Sequence, residues 1–265
     1  MDSKVRYNSE EPIEVASGVY HLGVQDERNT FNNVPYLVVD GDEAVLIDPG
    51  SAKKDFFEVV LNKIKKIIDL KKITHIIVQH QDPDLCAAIP LFEPLIAPGH
   101  RIWAPLEAKI LLQHYGMKGE VLSIDDGDTL TFGNNRKLTF LMTPYCHFVG
   151  SMITYDHKTK SLFSSDAFGG FTPDNLLYAD IETYPLQLSL FTGEYLGSKR
   201  ALEYAIKRIE LLNKESGIDL VCPQHGCVIP KELIPIYLEV GKSLQVGQQI
   251  DFLAKKYGIE LDGRD

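Results

Sequence analysis

Six side chains able to bind a metal lie at or near the ends of short apolar segments that are far apart in the sequence. They are His80, Asp82, Asp84, His147, Asp166 and His225. Loops at strand ends are where the functional residues of α/β proteins collect. One site built from all six requires that the ends of several strands meet. The span from His80 to His225 therefore predicts a single domain, because no cut between them leaves the set intact.

The densest part of this set is the alternating triplet His80, Asp82 and Asp84. Side chains two residues apart point to the same side of an extended backbone, so the spacing predicts that the three converge. Pro83 disfavours helical geometry at Asp82 and is predicted to hold the loop open.

Apolar spacing predicts a mixed α/β (α+β) chain. Strands are predicted at residues 34–39, 44–47, 74–79, 101–104, 121–124, 129–132, 137–142, 153–155, 162–165 and 220–223. Helices are predicted at 55–70, 106–115 and 198–213, and a mostly helical C-terminal segment at about 232–257. Strands with helices are followed by more strands with helices, which predicts two packed sheets with helices outside, a four-layer αββα sandwich. We expect residues 1–265 to form this one domain.

Composition and charge argue against several classes of protein. The formal net charge of −10 disfavours nucleic acid or an anionic membrane as the main partner. Residues 1–7 contain no apolar signal region, and no apolar run approaches the length of a membrane span. Four cysteines in a chain this long do not indicate a disulfide framework. We predict a cytoplasmic protein without membrane insertion.

The order of the six residues resembles the ligand set of the metallo-β-lactamase superfamily, whose hydrolases carry HxHxDH and then His, Asp and His around two zinc ions. Asp82 replaces the second histidine of that motif. This is similar to the flavodiiron branch, where the motif reads HxExDH and the metals are iron. The segments 79–84, 161–169 and 222–226 also look like flavodiiron segments. The resemblance runs from about Val15 to about Pro230, and it implies a metallo-β-lactamase-like fold.

The resemblance also implies a centre of two iron ions. In this assignment His80, Asp82 and His147 hold one iron, Asp84 and His225 hold the other, and Asp166 bridges them. Independently, a donor set of imidazoles and carboxylates without thiolate suits iron or manganese better than structural zinc. Manganese or zinc occupancy stays open at this point.

Two residues depart from the family pattern. Leu85 stands where the motif has its last histidine, and Asp82 is one methylene shorter than the family's Glu. Leu85 is predicted to leave a coordination position open beside an apolar wall, which suits O2 or NO better than hydrolysis. Tyr145 is predicted near bound oxygen because it is close to His147 in sequence. The four cysteines are predicted to be ordinary core residues: Cys86, Cys146, Cys222 and Cys227.

Three functions follow from these features. Flavodiiron proteins carry a flavodoxin domain with FMN after the metal domain, and no phosphate-binding loop appears after His225. We therefore expect no FMN, and the resemblance is strongest to stand-alone oxygen-binding diiron proteins associated with bacterial chemoreceptors. The first hypothesis is an O2 sensor that signals to such a partner, with a homodimer expected. The alternatives are an O2 or NO reductase supplied by an external electron-transfer protein, and a binuclear zinc hydrolase.

Overall fold

The computed structural model of the protein describes residues 5–7, 10–26, 31–172 and 174–261, and two large sheets dominate these residues. The strands are β1 Ile13–Ala16, β2 Val19–His21, β3 Val24–Gln25, β4 Asn32–Asn33, β5 Tyr36–Asp40, β6 Glu43–Ile47, β7 Ile73–Ile77, β8 Arg101–Pro105, β9 Glu120–Ile124, β10 Thr129–Phe132, β11 Arg136–Met142, β12 Met152–Asp156, β13 Ser161–Ser165, β14 Leu220–Pro223 and β15 Ile229–Pro230. The first sheet has the order β1-β2-β5-β6-β7-β8-β9, and the second has the order β10-β11-β12-β13-β14-β15. A separate two-stranded ribbon pairs β3 with β4.

Helices cover the outer faces of both sheets. They are α1 Lys54–Ile67, α2 Pro83–Cys86, α3 Ile89–Phe92, α4 Leu106–Leu112, α5 Tyr184–Tyr195, α6 Lys199–Ser216, α7 Ile234–Ser243 and α8 Gln248–Tyr257. Three buried apolar clusters separate the layers. One joins α1, α3 and α4 to the first sheet, one lies between the sheets, and one joins the second sheet to α5, α6 and α7. The predicted four-layer αββα arrangement is confirmed.

A buried ion pair within the second sheet includes an arginine that also bonds to the first sheet. Arg136 in β11 and Asp156 in β12 have fully buried side chains, and Arg136 Nε donates to Asp156 Oδ1 at 3.1 Å. A second nitrogen of Arg136, Nη1, donates to the carbonyl of Val39 in β5 of the first sheet. Buried charge is tolerated here because both partners are hydrogen-bonded.

The structure corrects the local geometry predicted for the His80–Asp84 segment. Asp82 is extended, but Pro83 occupies the first position of α2, so Asp84 lies in a helical turn. Proline suits this position because its missing N–H is not needed in the first turn. The C-terminal segment is two helices, α7 and α8, separated by residues 244–247. Among the described residues, no helix combines the length and the apolar character that crossing a membrane requires.

Candidate metal centre

One half of the site lies where β7, the loop after β11 and the end of β13 meet. The ligand atoms of His80, His147 and Asp166 all lie within 4.8 Å of one another. Asp166 Oδ2 is 3.1 Å from His147 Nε2 and 3.8 Å from His80 Nε2. Asp82 completes this half, since its Oδ2 is 3.2 Å from His147 Nε2 and 3.6 Å from His80 Nε2.

The other half of the site is smaller and joins α2 to the loop after β14. His225 Nε2 is 3.2 Å from Asp84 Oδ2. It is also 3.7 Å from Oδ1 of Asp166, the oxygen that does not face His147. The carboxylate of Asp166 therefore spans both halves, in the manner of a bridging ligand. The structure brings all six predicted residues into one cluster.

Hydrogen bonds on the far side of two imidazoles fix their orientation. His225 Nδ1 lies 2.5 Å from the backbone carbonyl of Asn32, which can only accept, so Nδ1 carries the proton. His80 Nδ1 lies 2.8 Å from the hydroxyl of Ser165. In both rings Nε2 faces the carboxylates. An outer partner that holds a ring in this way is the usual arrangement for metal-binding histidines.

The carboxylates strongly perturb the histidine pKa values. Burial alone would lower the pKa of His147, but the adjacent Asp166 and Asp82 carboxylates raise it to about 10. Burial is likewise overcome at His225, where Asp166 and Asp84 raise the pKa to about 9. For Asp82, burial would raise the carboxyl pKa, but the adjacent imidazoles of His147 and His80 hold it well below its usual range. The carboxylates thus favour positive charge at this site, either as protons on the imidazoles or as bound cations.

The donor chemistry fits a pair of hard or borderline cations. His80 Nε2 and Asp166 Oδ1 are buried atoms without a hydrogen-bond partner. Unpartnered buried polar atoms are rare and call for an explanation such as a bound ion. The six side chains supply imidazole nitrogen and carboxylate oxygen, and all four cysteines are free, buried thiols. An N/O donor set of this kind suits iron.

The remaining predicted residues take different positions. Leu85 is fully buried in α2, directly after Asp84. Tyr145 is 58% exposed, so most of its ring faces solvent, and its role near bound oxygen stays a prediction. Burial raises the pKa of Cys146 to about 12, and it also raises the thiol pKa of the other three cysteines. Neutral buried thiols agree with the prediction of core residues.

Sequence reasoning missed an aromatic and amide shell around His225. The ring centroid of Phe31 lies 4.2 Å from that of His225, and the ring of Phe191 lies 5.3 Å away. Asn32 and Asn33 are buried in β4, where Asn32 contacts His225 and Asn33 contacts Asp84. A polar two-residue strand has no hydrophobic periodicity. The one sequence signal near it was the apolar pattern of the adjacent predicted strand at 34–39.

This sandwich with a His/Asp cluster at one edge defines a metallo-β-lactamase-like metal-binding domain. The family model described as ODP family beta lactamase matches residues 31–226, which is more than half of the chain. The chain therefore belongs to the ODP family of beta-lactamase-fold proteins.

Relatives with known names include nitric oxide reductases and a flavo-diiron protein. The anaerobic nitric oxide reductase flavorubredoxin of Aliivibrio salmonicida is 30% identical over 218 residues, covering 79% of this chain and 43% of that protein. A mutant flavo di-iron protein from Thermotoga maritima superposes with a TM-score of 0.78 at 26% identity, over 88% of this chain and 60% of its own. The chain spans about half the length of the curated relatives it matches.

One solved structure matches along nearly its whole length. It is a peroxy diiron species of the chemotaxis sensor ODP, with a TM-score of 0.75 over 91% of this chain and 99% of that chain. Its sequence identity of 22% makes this a likeness of fold. The proteins similar to this chain thus include nitric oxide reductases by sequence and a chemotaxis sensor by fold.

Proposed function

We propose that this chain binds O2 at a non-heme diiron centre and acts as an oxygen sensor read by a partner protein. The observation that carries the proposal is the spanning carboxylate of Asp166, which faces His147 with one oxygen and His225 with the other. Membership of the ODP family supports the sensor role, as does the match to nearly all of the chemotaxis sensor chain. The alternative of a reductase is supported by the nitric oxide reductase relatives.

In this proposal each metal has its own set of protein ligands. His80, Asp82 and His147 would hold the first iron, Asp84 and His225 would hold the second, and Asp166 would contribute to both. The irons would supply electrons and a coordination position for a diatomic ligand. The protein's own part is to hold the imidazoles by their outer hydrogen bonds, and to shield the site with buried Leu85 and the aromatic rings beside His225.

The proposal also includes a partner protein, an oligomeric state and a location in the cell. The partner is proposed to be a chemoreceptor-type protein in the sensor case, or an external electron-transfer protein in the reductase case. We also propose a homodimer and a cytoplasmic location. Sedimentation of the purified protein tests the homodimer. Oxygen-dependent co-purification tests the interaction with the candidate partner.

The deciding experiment is anaerobic loading with ferrous iron, followed by exposure to air and visible spectroscopy. The sensor proposal predicts binding of two iron ions per chain and a visible absorption band that persists for minutes or longer. Rapid repeated O2 or NO consumption with an added reductant would instead support the reductase. Zinc retention with phosphodiester or thioester hydrolysis would reject both the sensor and the reductase. The variant His147→Ala controls for iron bound elsewhere on the chain.

A further inference from the structure

The short strand β4 contacts the two ligands that belong to the second metal position alone, His225 and Asp84. Its first residue, Asn32, accepts a hydrogen bond from His225 Nδ1 through its backbone carbonyl. Its second residue, Asn33, donates from its side-chain Nδ2 to the backbone carbonyl of Asp84 at 2.5 Å. We propose that Asn32 and Asn33 are positioning residues that set the geometry of the second metal position and leave the first unaffected. This inference rests on the proposed assignment of Asp84 and His225 to one metal.

The side chain of Asn32 locks the peptide that follows His225. Its Oδ1 accepts from the Gly226 amide at 2.7 Å, and its Nδ2 donates to the Gly226 carbonyl at 3.0 Å. A further backbone bond runs from Val34 N to the carbonyl of Gln224 at 2.9 Å. Because Asn32 and Val34 both bond to the segment 224–226, the Asn32 carbonyl stays opposite the His225 imidazole and fixes the proton on Nδ1. This leaves Nε2 as the metal-facing atom.

Asn33 holds α2, the short helix that carries Asp84. The α2 turn is also bound by Gly50, whose amide donates to the Leu85 carbonyl at 2.7 Å. Gly50 has a φ of +97°, and a Cβ at this position would lie only 2.9 Å from Asn33 Oδ1. The close approach of backbone and amide keeps α2 against β4. The position of Asp84 therefore depends on the same strand as the position of His225.

The first metal position has a different support. His80 uses the hydroxyl of Ser165, which belongs to β13 of the second sheet. Asn32 and Asn33 are 0% and 3% exposed, so their amides depend on these protein partners. The outer hydrogen-bond partners of the two histidines thus lie on different elements, β4 for His225 and β13 for His80. A defect in β4 is expected to affect one metal and not the other.

The Asn32 amide is itself held in place from the N-terminal side. Its Nδ2 also donates to the hydroxyl of Tyr7 at 3.1 Å, and that hydroxyl lies 3.4 Å from Gln25 Oε1 in β3. Thr172 donates to the same Gln25 oxygen at 3.0 Å. The amide therefore has direct partners on two segments, at Gly226 and at Tyr7, which restricts its rotation.

The test compares Asn32→Ala and Asn33→Ala with two controls in the full chain. Ser165→Ala removes the support of His80, and Asn213→Ala removes an amide that accepts from Ile218 N beyond the end of α6. Anaerobic chelator competition measures the affinities of the two ferrous equivalents separately. We expect the Asn32 and Asn33 variants to weaken one equivalent by roughly 10- to 100-fold while the other changes little. Ser165→Ala should weaken the opposite equivalent, and Asn213→Ala neither.

A second readout needs no metal. In the iron-free protein, ¹⁵N NMR of the histidine rings should show a protected Nδ1 proton on His225 that exchanges faster in Asn32→Ala. Equal loss of both iron equivalents in the folded variants, or an unchanged second equivalent, would overturn the proposal, as would an unaltered His225 ring signal. If the wild type fails to bind two irons, the proposed function fails, and the NMR result alone decides whether Asn32 positions His225.

Discussion

The carboxylate Oδ2 of Asp82 lies 3.2 Å from Nε2 of His147, so the short side chain reaches the ring across the site. Asp82 is able to do so because it is extended and makes no capping hydrogen bond to α2. We expect Asp82→Glu to keep two-metal binding. Asp82→Asn, which removes the negative charge, should weaken one ferrous equivalent by more than the roughly 10- to 100-fold typical of an outer partner. Anaerobic iron titration measures both variants.

Asp128→Asn is the control for this prediction. Asp128 is an exposed aspartate whose carboxylate accepts from the amide of Asp125 in a surface turn, so its loss should leave iron affinity unchanged. Equal iron affinity in Asp82→Asn and the wild type would remove Asp82 from the ligand set.

Leu85 provides a test of the open coordination position. Because Leu85 is fully buried beside Asp84, Leu85→His should add an imidazole where the family motif has one. We expect the visible band formed in air to decay at least several-fold faster in Leu85→His, and O2 binding to change in Leu85→Ala. Stopped-flow spectroscopy of the iron-loaded variants measures both effects.

The control for cavity formation is Leu37→Ala, since Leu37 is a fully buried leucine in β5. Truncating a buried leucine costs about 2–5 kcal/mol of stability at either position. A band that forms and decays alike in the wild type and both Leu85 variants would show that Leu85 has no influence on the oxygen site.

Several strands and the clustering of the six His and Asp side chains could be predicted from sequence, whereas the residues that support this cluster could not. Strands β10 and β14 have the predicted bounds because apolar or alternating runs mark sheet positions. Helix α5 was missed because apolar residues occur all round it: Leu188 is buried, while Leu186 and Leu190 are exposed. The bond from His225 to Asn32 joins positions 193 residues apart through a backbone carbonyl, which has no sequence signature.

The buried pair of Arg136 and Asp156 is expected to contribute strongly to stability. Arg136→Met leaves the Asp156 carboxylate buried without its cation, which typically costs about 3–5 kcal/mol. Chemical denaturation measures the free energy of unfolding. The control is Arg208→Met, because Arg208 pairs with half-exposed Asp126 at 2.8 Å and such surface pairs contribute about 1 kcal/mol or less. Similar small losses in both variants would contradict a structural role for the buried pair.

Lys63 in α1 has a fully buried side chain whose Nζ donates to the carbonyl of Gly23 at 2.7 Å. Burial removes water from the ammonium group and lowers the pKa of Lys63 to about 7, against the opposing attraction of Glu11. In the unfolded chain a lysine keeps its proton up to a pH of about 10.4. Between these pH values the unfolded state binds more protons, so stability rises with pH, and the full cost applies below pH of about 7.

Lys63→Met removes this cost. We expect the free energy of unfolding at pH 7 to rise by about 1–3 kcal/mol, since each pKa unit is about 1.4 kcal/mol and the lost bond to Gly23 offsets part of the gain. The increase in stability from pH 7 to 10 should also become shallower. Urea denaturation across this pH range measures both effects. Lys65→Met, an exposed position on the same helix, should change stability by no more than about 0.5 kcal/mol. A destabilised Lys63→Met protein with an unchanged pH profile would mean that the ammonium is compensated inside the fold.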